Sequence, residues 1–151
     1  EGLRRVLTGI GTLAGGELFG ERLAVPYDTK DQEEEHSCFS DSTHVDHNMD
    51  AVSVQYIYLG LDADGAEVGT SISDVVAAAD PALDERIRAE LDAAGATTAA
   101  IPPPFDQAIL GADDAPGRVA IKAAMDALDV LTQDLVLAGQ KLGLQIGTEL
   151  P

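Results

Sequence analysis

Apolar residues return at three- and four-residue steps along most of this chain, the spacing that gathers them on one side of an α-helix. Leu3, Val6, Leu7, Ile10, Leu13, Ala14 and Leu18 predict an amphipathic helix from about the first residue to Leu23, which Pro26 is expected to end. No capping residue precedes it, so an earlier segment is expected to supply its start. Gly9, Gly11, Gly15, Gly16 and Gly20 lie inside it, each costing roughly 1 kcal/mol relative to alanine. That cost is usually tolerated where another backbone approaches closely. The polar stretch Tyr27 to Asp41 reads as a loop long enough to be functional. Val45, Met49, Val52, Tyr56 and Leu59 then predict a second helix, with Thr43 and Asp46 spaced like a capping box and Gly60 near its end.

Further on, Ile72, Val75, Val76 and Ala79 predict a short helix. Asp80 and Pro81 supply an N-cap and a first-turn proline for another, whose face carries Leu83, Ile87 and Leu91 and which Gly95 is expected to stop. Asp84 and Glu85 sit where the helix dipole favours acids. Pro102, Pro103 and Pro104 enforce an extended linker. The stripe Ile121, Ala124, Met125, Leu128, Leu131, Leu135, Ala138 and Leu142 predicts the longest helix, from near Pro116 to about Gly143. Three long helices with one or two shorter ones make an all-α helical bundle.

Composition agrees. A chain of 151 residues that is 45% hydrophobic is one ordinary domain with enough apolar material for a core. Aromatics at 4% and no tryptophan favour closely packed helices over aromatic-rich strands. The formal charge of -18 repels phosphate backbones and anionic headgroups, which disfavours binding to nucleic acid or to a membrane surface. The same acidity suits a solvated surface or the attraction of cations. A single cysteine forms no internal disulfide. No apolar run approaches the roughly 20 residues that cross a bilayer. Glu1 opens directly into a helical pattern, so an exported protein would carry its leader upstream.

One segment departs from this scaffold. Glu33 to Asp50 holds all three histidines, the only cysteine and six carboxylates, the side chains that ligate metals or move protons near neutral pH. His44 and His47 are three apart, so on a helix both point to nearly the same side and can serve one metal, or else cap, pack or face water. His36 follows three glutamates on the loop and alone would be surface. Asp41, three before His44, can hold its tautomer, ligate beside it, or cap the helix. Ser40, Ser42 and Thr43 are common at helix starts and lack the glycines of a nucleophile elbow. Cys38 is a soft ligand, a nucleophile or a buried structural thiol. Glu17 and Glu21, four apart, are placed to reach the loop or to be solvated.

The order GLRRVLTGIGTLAGGELFGERL, EEEHSCFSDSTH, QYIYLG resembles the C-terminal half of the imelysin family, also known as the M75 peptidase or iron-regulated protein A family. EHSCFSDSTH, at Glu35 to His44, is the specific part, and the likeness spans essentially residues 1–151. The resemblance implies a two-bundle helical protein of which this chain is one half, exported to the periplasm or outer membrane and linked to iron acquisition. It implies a site shared with an N-terminal half that carries GxHxxE, a motif absent here. On the matching positions it implies metal ligands at His36, Asp41 and His44 and ligand contacts at Glu35, Cys38, Ser40 and Thr43, with iron or zinc as the metal. A zinc metallopeptidase is the alternative, although no helix here bears His and a base at zincin-like spacing.

Overall fold

The structure is a computed structural model that describes residues 1–148 and 150. It is built of helices: α1 (Gly2–Gly11), a π-helical stretch (Thr12–Ala24), α2 (Val25–Thr29), a 3-10 turn (Gln32–Glu34), α3 (Thr43–Leu59), α4 (Ile72–Ala79), α5 (Pro81–Ala99), α6 (Phe105–Ala108) and α7 (Pro116–Lys141). The helical-bundle expectation holds. Among the described residues no helix is long and apolar enough to cross a membrane.

The first three elements run on as one rod. Its middle is wound as a π-helix, whose backbone bonds reach from i to i+5. One side-chain pair records that winding: the Arg22 guanidinium binds Glu17 Oε1 at 2.6–2.7 Å. Residues five apart stack in a π-helix, whereas in an α-helix they diverge. Glu21, paired with Glu17 by α-helical spacing, instead points to solvent. Pro26 does not end the rod. It is buried in the first turn of α2, where the hydrogen-bond ladder changes register and a missing N–H leaves no gap. The rod stops at Lys30, left-handed at φ 57, whose N–H returns to Pro26 O at 2.9 Å.

Its glycines divide by surroundings. A Cβ on Gly15 would stand 2.6 Å from Thr132 Cγ2, and one on Gly16 would stand 2.7 Å from the Thr148 carbonyl. These two let α7 and the returning C-terminal segment approach closely, as the sequence suggested. Gly9 and Gly20 meet no such neighbour.

The helix α3 forms where expected and ends at Gly60 in the left-handed region, but its buried face is Thr43, His47, Ala51, Val54 and Tyr58. Val45 and Met49 lie exposed on the other side. Gly95 does not stop α5, which continues to Ala99 because Ala94 and Thr98 extend the face begun by Leu83, Ile87 and Leu91. Asp80 caps it, accepting the Leu83 N–H at 3.2 Å. Deep between α3, α4 and α5 sits Asp84, which accepts hydrogen bonds from Tyr58, Ser73 and Arg88 at 2.9, 2.5 and 2.9 Å. A buried carboxylate stays charged only with partners of this kind.

After the prolines, α6 packs against the start of α7, so close that a Cβ on Gly117 would lie 2.5 Å from the Ala108 carbonyl oxygen. Gly117→Ala is therefore expected to destabilise the protein by about 1–3 kcal/mol, the usual effect of overpacking against backbone. Urea unfolding of the two proteins measures it.

Candidate functional site

The polar loop leaves the rod at Lys30 and is tied down at its start. Lys30 Nζ donates to the Gly111 carbonyl at 2.6 Å, and Gln32 Nε2 donates to Asp106 Oδ2 of α6 at 2.7 Å. Asp31 caps the 3-10 turn by accepting the Glu33 N–H at 3.0 Å. The loop then folds onto the first turn of α3. Ser37 N–H donates to Thr43 Oγ1 at 2.9 Å, and the Ser37 hydroxyl donates to the Asp46 carboxylate. The same carboxylate faces His36 Nδ1 at 3.3 Å.

Thr43 is thus not the N-cap. Ser42 holds that position without a side-chain cap bond, while Thr43 is wholly buried and uses its oxygen to receive Ser37. Asp46, read as the far end of a capping box, binds Ser37 and His36. The Ser40 and Ser42 hydroxyls share a hydrogen bond of 2.6 Å. Asp41 sits exposed at the turn into α3 with φ 52, and Cys38 is a half-buried free thiol. Phe39, at the loop's crest, is fully exposed.

Beneath this surface lies a second layer that spacing alone did not reveal. Glu35 is buried beside the Thr43 hydroxyl, and burial pushes its carboxyl above the usual range. The charges of Asp106, Asp41 and Glu33 push the same way. His47 is wholly buried, its ring edge-on to Phe105 with centroids 4.6 Å apart. Burial depresses it to about 4, helped by the charge of His36. Asp50, one turn further along α3, is raised by its own burial.

Several buried atoms here have no hydrogen-bond partner: Glu35 Oε2, Asp106 Oδ1, His44 Nδ1 and both nitrogens of His47. Native interiors rarely leave such atoms unmet. Of the residues singled out in the sequence, the structure joins His36 to Asp46 and Ser40 to Ser42. It does not draw His36, Asp41 and His44 to one point, and among the described residues no three His, Cys, Asp or Glu side chains converge as a metal cage. The arrangement is a polar wall backed by unmet donors and acceptors.

The imelysin family model matches residues 1–135, from the rod through most of α7. The chain belongs to the imelysin family. The matched span of the imelysin chain includes the polar loop and the helices from the rod to most of α7. No curated protein matches the chain.

Proposed function

We propose that this imelysin chain forms one wall of a site that binds a metal ion, iron or zinc, or another ligand, in an exported protein linked to iron acquisition, and that an N-terminal half carrying HxxE completes it. The observation that carries this reading is the set of unmet buried atoms at the start of α3, above all Glu35 Oε2 and His44 Nδ1. Asp41 and His44 are the first contributors, one exposed on the rim and one half-buried behind it. His36, Glu35, Cys38, Ser40 and Thr43 shape the surface between them.

Family membership supports export, since imelysins are typically exported proteins. A zinc peptidase needs three protein ligands around an open fourth position, and one wall with two first contributors leaves the rest to the other half. Binding is therefore the reading, with peptide hydrolysis as its rival.

Titration calorimetry of the complete two-half protein with iron(II) and with zinc is expected to show affinity at least about tenfold weaker in an Asp41→Ala, His44→Ala variant. Equal affinity in the two proteins would refute those assignments. Chelator-sensitive cleavage of a protein substrate by the same material would favour the peptidase instead.

A further inference from the structure

Helices α5 and α7 share the most extensive helix contact among the described residues. Two acids meet across it. Asp134 of α7 is mostly buried, and its Oδ2 receives both Nε and Nη2 of Arg86 at 2.9 Å. Since both bonds land on Oδ2, Oδ1 is left over. One turn along α5 from Arg86 lies Glu90, whose Oε2 is buried without a partner. The polar side chain placed to hydrogen-bond it is the Asp134 carboxyl. Two carboxylates cannot hydrogen-bond to each other, because both are acceptors. The geometry lacks one proton.

We propose that α5 and α7 are fastened by a proton shared between the Glu90 and Asp134 carboxyls, which makes this seam a pH-sensitive latch, closed in mild acid and loosened above neutrality. This latch is independent of the wall at the start of α3. When the proton is present, Glu90 donates to Asp134 while Arg86 holds the negative charge of the pair in place. When it leaves, two like charges face each other in a half-buried seam with one guanidinium, held by Asp134, to offset them, and the helices are pushed apart.

The charged and titratable groups that bear on Glu90 are few. Asp134 faces it from α7 and Arg86 from its own helix. Tyr58 faces it from α3, but its phenol is pushed far up by burial and by its bond to Asp84, so it stays neutral throughout. Burial and the Asp134 charge hold Glu90 up at about 7, against the lowering effect of Arg86. Asp134 is thus the group to change.

The sign of the pH effect follows. In the unfolded chain Glu90 loses its proton at an ordinary carboxylate value, while in the folded chain it keeps it to about 7. Stability from the latch is therefore full below about pH 4.5 and lost as pH rises to about 7.

The test is a carbon-13 NMR titration of the Glu90 carboxyl in the full chain. Its midpoint is expected near 7, to fall by at least one pH unit in Asp134→Asn, and to rise in Arg86→Gln. A midpoint near 4.5 in the unmodified chain, or one that neither variant moves, overturns the proposal. Should Asp134→Asn fail to fold, Glu90→Gln serves in its place: its amide donates to Asp134 as the proton does, so its urea midpoint is expected to fall less than that of the unmodified chain between pH 4.5 and 7. An identical fall in both also overturns the latch.

Discussion

Replacing Arg118 with alanine is expected to destabilise the protein by about 3–4 kcal/mol, an effect drawn from the loss of one buried and one part-buried hydrogen bond and a stacked contact. Arg118 is almost entirely buried at the start of α7. One of its nitrogens, Nη1, donates to the Tyr27 carbonyl at 2.7 Å and to the Ile109 carbonyl at 2.9 Å. Both carbonyls lie at helix ends, one in the last turn of α2 and the other just past α6, where the helices provide no partner of their own. The guanidinium also lies 3.7 Å over the Tyr27 ring. Its bond to Asp113 adds little, because Asp113 is highly exposed.

A single arginine thus closes two helix C-termini, the position where positive charge is favoured. Arg118→Met keeps most of the volume and loses the donors, so it is expected to recover only the packing share of the loss. Arg118→Lys supplies a point charge without the planar fork and is expected to fall between. Urea unfolding of the three variants separates these contributions. Equal stability of the Met variant and the parent would mean that the two carbonyls find water instead. Because Tyr27 lies in the last turn of the rod, just before the polar loop leaves it at Lys30, amide exchange at residues 30–42 is expected to quicken in Arg118→Ala.

The second large effect is a loss of stability in acid, centred on His47. In the unfolded chain this imidazole takes a proton near 6.5, whereas burial in the folded protein depresses it to about 4. Its contribution is therefore fully present above pH 6.5 and is lost as pH falls towards 4. The gap between those values corresponds to about 3 kcal/mol. His47→Leu removes the titration and the two unmet nitrogens together, so it is expected to match or exceed the parent at pH 7.5 and to lose less stability by pH 4.5. Parallel loss in parent and variant would show that His47 is already protonated, or already bonded, in the fold.

His47 also shows why the helix was legible and its orientation was not. Periodicity located α3 to within a residue at each end, because Gly60 and the first-turn sequence mark its limits. The inward face, however, is carried by Thr43 and His47 together with Ala51, Val54 and Tyr58, and the first two are polar. Thr43 is satisfied locally by Ser37, and His47 presents its edge to Phe105, a residue from more than fifty positions away. No pattern of apolar side chains encodes that contact. Val45 and Met49, which the pattern placed inside, face outward.

Pro26 and Gly95 show a related limit. Each is a breaker by propensity, yet both stand inside helices because tertiary burial of Leu23 and Pro26, and of Ala94 and Thr98, outweighs a local cost of a few kcal/mol or less. At the candidate site, the clustering of chemistry between Glu35 and His44 was visible as composition, and the family likeness rested on it. Asp46 as the partner of His36, and Asp106 as the neighbour of Glu35, come from the folding of the loop over α3 and α6. The first is close in sequence, but its spacing from Thr43 reads as a cap, and the second lies beyond any local signal.

The winding of the rod has a consequence for how its far end is aimed. In a π-helix each residue turns the chain by less than the roughly 100° of an α-helix, so the thirteen residues Thr12–Ala24 set the azimuth at which Tyr27 arrives beneath Arg118. Deleting one residue within that stretch is expected to tighten part of the winding toward α while the rod stays continuous. What shifts is phase: Glu17 and Arg22 part, and the loop that bears the histidines leaves the bundle in a new direction. The angle at which the site's loop leaves the bundle is stored in the pitch of the rod that carries it.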